Sequence, residues 1–174
     1  MAVRNAEPSP SVKQQLFLMR HAKSSWSTPG QPDNARPLND RGRRAAPEIG
    51  KKLRDENYLV DLVMASTAIR VRETLELLLP AWGLECPVVW EKHLYLATPD
   101  SISQLVGAMA LEWPRVLVVG HNPGLSDLAS QFSQEKIEMP TAALVILEND
   151  QPDWPTAMRS RNWHLSAFWK PREL

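Results

Sequence analysis

The sequence predicts an α/β domain whose mostly parallel sheet is covered by helices on both faces. Short apolar runs recur at Leu16 to Met19, Leu59 to Ala65 and Arg115 to Val119, each bounded by polar or turn residues as buried strands are. Segments with helical start and stop signals lie between them, and strands alternating with helices imply parallel pairing with both faces covered. The first run ends abruptly in a cation and an imidazole, Arg20-His21. That pair stands at the carboxyl end of its strand, where open α/β sheets place their ligands.

Taken in order, residues 1–13 lack the apolar centre of a signal peptide and carry Pro8 and Pro10. They are expected to form a loose arm, leaving 14–174 as one domain. After the first strand, Ser24 to Asp40 is a long loop rich in Pro, Gly, Asn and Asp. Loops of that length in a compact domain are more often functional than idle. Asn39 or Asp40 then caps a helix to about Glu56, with Ala46, Ile49 and Leu53 inward and Arg43, Lys51, Lys52 and Asp55 outward. The second strand is followed by Ser66-Thr67 at a capping position and a helix from Ala68 to Leu79, expected to stop at Pro80. Pro87 to Trp90 forms a short third strand. Pro99-Asp100-Ser101 opens a helix to about Glu112, and Arg115 to Val119 is the clearest strand, β-branched and closed by Gly120. Gly120-His121-Asn122-Pro123-Gly124 leads into a helix from about Leu125 to Ser133. Ala142 to Leu147 and Trp163 to Trp169 are two further strands, joined by a loop from Glu148 to Arg161.

Composition narrows the function classes. The 174 residues suffice for one domain with a sizeable core, and 43% hydrophobic with 23% charged residues is ordinary for a globular protein. Lys+Arg and Asp+Glu both number 20, so no global field points to nucleic acid or a membrane surface. An anion site must therefore be local. The single cysteine, Cys86, forms no internal disulfide and no metal-ligand spacing, which points to a reducing cytoplasm and to neither metal nor cofactor. No apolar run approaches the length of a membrane span.

If the strands are parallel, Arg20-His21, Ser66 to Arg70 and His121 emerge on one edge, beside the amino ends of two helices. Two histidines with two or three arginines, and no carboxylate set among them, make a pocket for a dianion such as a phosphoryl group. Neutral imidazole can attack phosphorus, and His21 is the candidate nucleophile. His121, Arg20 and Arg70 would then stabilise the charge that builds up on the phosphoryl oxygens. Arg70 and Arg72 point about 200° apart on a helix, so only one faces the pocket; Arg70, nearer the helix start, is chosen.

Four segments carry a resemblance. Leu18-Met19-Arg20-His21-Ala22, Arg36-Pro37-Leu38-Asn39-Asp40-Arg41-Gly42, Ser66-Thr67-Ala68-Ile69-Arg70-Val71-Arg72-Glu73-Thr74 and Val119-Gly120-His121-Asn122-Pro123-Gly124 resemble, in order, the signatures of the histidine phosphatase superfamily. Within it the chain is most similar to the small SixA-type phosphohistidine phosphatases. The resemblance implies a three-layer α/β/α, phosphoglycerate-mutase-like sandwich without the large helical subdomain of bigger members. It implies a phosphohistidine intermediate on His21, phosphate contacts from Arg20, Arg70 and His121, and a further contact from Arg36. Most relatives have Gly where Ala22 stands, which is harmless if the backbone there keeps φ negative. Larger relatives protonate the leaving oxygen with Glu or Asp, and Glu91 is the nearest candidate by position. The expected activity is therefore metal-independent phosphatase action on phosphohistidine in a signalling or phosphotransfer protein. Phosphatase action on small phosphometabolites, or non-catalytic phosphoprotein binding, are the alternatives; neither nucleic acid nor membrane is an expected partner.

Plainer roles compete for single residues. Glu91 alone reads more readily as a surface carboxylate than as an acid catalyst, and Ser66 as a helix cap. His93 and His164 read as structural residues. The seven tryptophans read mostly as core, with Trp26 the exception that can form a pocket rim.

Overall fold

The computed structural model describes residues 13–173, so the expected N-terminal arm, apart from Lys13, lies outside the described residues. Six strands, β1 (Gln14–Arg20), β2 (Leu62–Ala65), β3 (Val88–Trp90), β4 (Arg115–Gly120), β5 (Leu144–Asn149) and β6 (His164–Trp169), form one sheet in the order β3-β2-β4-β1-β5-β6. β1, β2, β3 and β4 are mutually parallel; β5 runs antiparallel to β1, and β6, antiparallel to β5, returns to the direction of the first four. Among the described residues, five α-helices connect them: α1 (Asp40–Asp55), α2 (Ile69–Trp82), α3 (Pro99–Met109), α4 (Gly124–Ser133) and α5 (Trp154–Arg159).

The continuous apolar character of the strands follows from burial on both faces. Side chains alternate across the sheet, so Leu16 and Leu18 join Val116 and Val118 in a core with Ile102 of α3, Leu125 of α4 and Trp154 of α5. Phe17 and Met19 point the other way, into a second core with Ile49 and Leu53 of α1 and Leu75 and Leu78 of α2. This is the expected three-layer sandwich. Phe17 is fully buried, and its truncation to Ala would cost about 3–5 kcal/mol.

Of the two expected caps of α1, Asn39 is the one used: its side chain accepts from the Gly42 N–H at 2.9 Å. Other helix ends depart from expectation in physically clear ways. α2 runs through Pro80, which lacks an N–H for that turn, because Trp82 beyond it is buried and its Nε1–H donates to the Tyr58 carbonyl at 2.8 Å. The helix ends instead at Gly83, whose φ of 72° suits glycine and whose N–H returns to Leu79 and Pro80. α3 stops at Met109, short of Glu112, in a turn closed by the Trp113 N–H on the Ala110 carbonyl. The expected loop between β5 and β6 contains α5, capped by Asp153 on the Thr156 N–H at 2.7 Å and anchored by fully buried Trp154. Of the tryptophans, only Trp82, Trp154 and Trp163 are fully core; Trp26, Trp90 and Trp113 are exposed and Trp169 is half-buried.

Sheet register positions the site. Arg20 pairs with Gly120 and Ala65 with Val119, so β1, β2 and β4 end side by side. The next residue on each strand is His21, Ser66 or His121.

Candidate active site

His21 is held by its neighbours on both strands and both layers. Its N–H donates to the Gly120 carbonyl at 3.1 Å, and the carbonyls of Arg20 and His21 both accept from the Ala142 N–H. Ala142 adopts φ 63°, a left-handed conformation that costs a non-glycine residue about 1–2 kcal/mol. Ala22 has no such strain, which meets the condition set for alanine at that position. Its N–H donates to Thr74 Oγ1 at 3.0 Å, and that hydroxyl donates in turn to the Arg70 carbonyl at 2.6 Å.

The two imidazoles lie with ring centroids 5.2 Å apart, and Arg70 bridges them. Its Nε is 3.2 Å from His21 Nε2 and its Nη2 3.3 Å from His121 Nδ1. Guanidinium only donates, so both ring nitrogens facing it are lone-pair acceptors. The other nitrogens carry the protons: His21 Nδ1–H donates to the Ala22 carbonyl at 2.7 Å, and His121 Nε2–H to Ser66 Oγ at 2.7 Å. Burial, with nearby cations adding to it, lowers the His21 pKa to about 3 and the His121 pKa to about 4. Both rings are therefore neutral at pH 7, and His21 presents the Nε2 lone pair to the Arg70 side of the cavity, the form of imidazole able to attack an electrophile. Ser66 can accept or donate, so His121 can change tautomer and turn an N–H toward an arriving phosphoryl oxygen.

Arg20, Arg36 and Arg70 line the same cavity of about 300 Å³ as His21 and His121. Arg20 donates from Nη1 to the Met139 carbonyl at 3.0 Å, while its buried Nε has no partner among the described residues. Arg36 is stacked on Trp26, its Cζ 3.5 Å from the ring centroid, and Trp26, 75% exposed, forms the rim anticipated for it. Arg72 turns away, over the Trp90 ring at 4.4 Å.

The cation pocket gains a carboxylate from outside the four motifs, because the long loop folds Asp33 into it. Asp33 Oδ2 accepts from Arg70 Nη2 at 3.0 Å and from the Tyr95 hydroxyl, and Oδ1 accepts from Arg36 Nε at 3.1 Å. The Tyr95 bond foremost, with Arg70 and Arg36 adding to it, lowers the Asp33 pKa to about 2. Tyr95 also packs edge-on to His121, with centroids 5.2 Å apart.

Glu91 is placed differently from the pocket residues. It caps the short 3₁₀ turn Lys92–Leu94, accepting from the His93 N–H at 2.8 Å and pairing with His93 Nδ1 at 2.6 Å, and it does not line the cavity. His93 and His164 are exposed and lie outside the cavity, His93 held in the turn by Glu91. The N-cap position of α2 is Ala68, not Ser66; the Ser66 Oγ accepts from the Ala68 N–H at 3.4 Å and makes its shorter bond, 2.7 Å, to His121 Nε2. Sequence reasoning thus missed Asp33 in the cavity, Ser66 as the partner of His121 behind it, and Tyr95 as the partner of Asp33. Only Ser66 left a signal, its place four residues before Arg70 at the end of a strand. Among the described residues no three His, Cys, Asp or Glu side chains gather as a metal-binding group, and no helix is long and apolar enough to cross a membrane.

Known proteins resemble this chain in sequence and fold. The family model of the Histidine phosphatase superfamily (branch 1) matches residues 16–94. An uncharacterized protein of Mycobacterium leprae is 39% identical over 115 residues, 64% of this chain and 68% of its own length. Among solved structures, a candidate phosphohistidine phosphatase SixA from Agrobacterium tumefaciens is similar with a TM-score of 0.78 and 28% identity, over 91% of this chain and 98% of that one. The protein histidine phosphatase SixA complexed with tungstate shares the fold at a TM-score of 0.78 and 20% identity, over 92% and 99% of the two chains. A mycobacterial glucosyl-3-phosphoglycerate phosphatase complexed with VO3 shares it at 0.63 and 16%, over 90% and 99%. With the motif order, the sheet and the relatives in agreement, the chain belongs to the histidine phosphatase superfamily as a SixA-type member and is a phosphatase.

Proposed function

We propose that the protein removes the phosphoryl group from phosphohistidine in a signalling or phosphotransfer protein, by way of a phosphohistidine on His21. The observation that carries this reading is the fixed tautomer of His21: Nδ1–H is held by the Ala22 carbonyl, leaving the Nε2 lone pair toward the arginines. In the first step Nε2 bonds to phosphorus as the P–N bond of the substrate breaks, and the substrate imidazole leaves with the bonding pair and takes up a proton from solvent. In the second, water attacks the same phosphorus, the His21–P bond breaks with its electron pair returning to Nε2, and the proton lost by the water passes to solvent as inorganic phosphate departs. Arg20, Arg36, Arg70 and His121 hold the phosphoryl oxygens through both steps, where such electrostatics dominate.

The choice of donor rests on the leaving group. An alkoxide needs a proton at its oxygen as it departs, whereas imidazole is a far better leaving group. Asp33 is held ionised, and Glu91, proposed from its position as a proton donor, is engaged with His93 outside the cavity. That supports the P–N substrate over small phosphometabolites.

Phosphoenzyme trapping tests the reading. A labelled phosphohistidine peptide should yield an acid-labile, alkali-stable adduct that is absent in His21→Ala, with turnover well above that of sugar phosphates. Faster turnover of sugar phosphates, or an undiminished adduct in His21→Ala, would overturn it.

A further inference from the structure

Next to the phosphate cavity lies a second one of about 410 Å³, and its walls are strongly biased in charge. Among the described residues, Lys23, Arg41, Arg44, Lys170 and Arg172 line it against one carboxylate, Glu48, in a chain whose formal net charge is zero. Lys23 and Thr141 border both cavities, so the two form one continuous surface.

The placement of two of these cations runs against local stability. Arg41 and Arg44 lie in the first turns of α1, where the helix amino end already carries partial positive charge. Both are exposed, and among the described residues neither pairs with a carboxylate. Arg43, between them, behaves differently: it turns away to Glu73 at 3.2 Å. Helix geometry puts Arg41, Arg44 and Glu48 on one face, toward the cavity. The positive end of the helix and the arginines thus add to one field.

We propose that this trough binds an acidic segment flanking the phosphorylated histidine of a protein substrate, an inference that rests on the phosphohistidine reading above. A single phosphate suits converging guanidinium forks, as at Arg70. Here the cations come from three separate stretches, the turn after β1, the start of α1 and the chain after β6, and ring an open trough. Carboxylates spaced along a peptide match that distribution, and Ala45, Pro140 and Pro171 offer apolar wall to the chain between them. A substrate with its phosphoryl group at His21 reaches the trough past Lys23.

The test compares two phosphohistidine peptides, one with an Asp/Glu run beside the histidine and one with neutral flanks, and uses phosphoramidate as a donor without a flank. The wild-type protein should favour the acidic peptide by about tenfold in kcat/KM, through KM, and lose the preference as salt rises. Arg41→Glu/Arg44→Glu should abolish the preference while turning over phosphoramidate at the wild-type rate. Acidic side chains at a helix amino end are favourable, so this variant should melt no lower than the wild type. Fluorescence anisotropy with the labelled, unphosphorylated acidic peptide reads the trough alone. If that peptide binds the wild type and not the variant, the trough stands even where phosphohistidine is not turned over, and only the substrate reading fails. If phosphohistidine is turned over with no flank preference and the peptide does not bind, the trough proposal falls and the substrate reading survives. Tripolyphosphate binding that the double variant removes, without peptide binding, would also overturn it in favour of a small polyanion.

Discussion

Asp33 lies inside the guanidinium fork of Arg70. Its main-chain carbonyl takes Nη1 at 2.7 Å and its Oδ2 takes Nη2 at 3.0 Å. Those two N–H groups point where a planar fork meets phosphoryl oxygens. The loop therefore supplies an internal anion on two of the N–H groups of Arg70.

Removing that charge while keeping the shape should tighten oxyanion binding. Asp33→Asn is expected to lower the inhibition constant for phosphate or vanadate by about three- to tenfold, the scale of one partly exposed charge pair. Steady-state inhibition at constant ionic strength measures it. A weaker inhibitor in the variant would mean that the carboxylate preorganises the arginines instead of competing for them.

Ser66 sits behind His121 rather than in the cavity, with Oγ 2.7 Å from Nε2. Ser66→Ala leaves a buried ring nitrogen without its partner, a loss of about 1–3 kcal/mol. We expect kcat to fall by about tenfold, with KM changing less and the acid limb of the pH–rate profile moving. Ser66→Thr, which keeps the hydroxyl, should recover most of the rate.

Stability should depend on pH through the two buried imidazoles. Their folded pKa values, about 3 for His21 and about 4 for His121, lie below the ordinary value of 6.5. As pH falls below 6.5 the unfolded chain takes up protons that the native state does not, so stability is full above that point. It is lost as pH falls toward 4, by about 1.4 kcal/mol per group per pH unit. Urea unfolding from pH 7.5 to 4 should show this slope, and His21→Asn/His121→Asn should flatten it.

Gly42 tests the seating of α1 on the catalytic turn. A Cβ there would lie 2.2 Å from the Lys23 carbonyl oxygen and 2.9 Å from the Lys23 nitrogen, backbone atoms that cannot rotate aside. Gly42→Ala should cost about 2–4 kcal/mol in denaturant unfolding and reduce kcat, because Lys23 follows His21-Ala22 directly. An unchanged unfolding midpoint would show that α1 can slide without disturbing the turn.

Much of this protein was legible in residue order alone. The apolar runs predicted the strands because both sheet faces are buried; Asn39 marked a helix start through its bond to the Gly42 N–H, and Pro99 another through its fixed φ at the first helical position. Helix periodicity separated Arg70 from Arg72 for the same reason, since facing is a local property. Tertiary structure alone decided what a neighbour along the chain cannot report. The sheet order inserted β4 between β1 and β2 and so brought His121 to His21 and Ser66. It turned a capping serine into a histidine's partner, and it let Trp82 carry α2 past a proline. The long loop delivered Asp33 to arginines 3 and 37 positions away, contacts set by where the loop lands. Periodicity and capping act over one or two turns; the partners of a buried charge depend on which distant segments the completed core sets side by side.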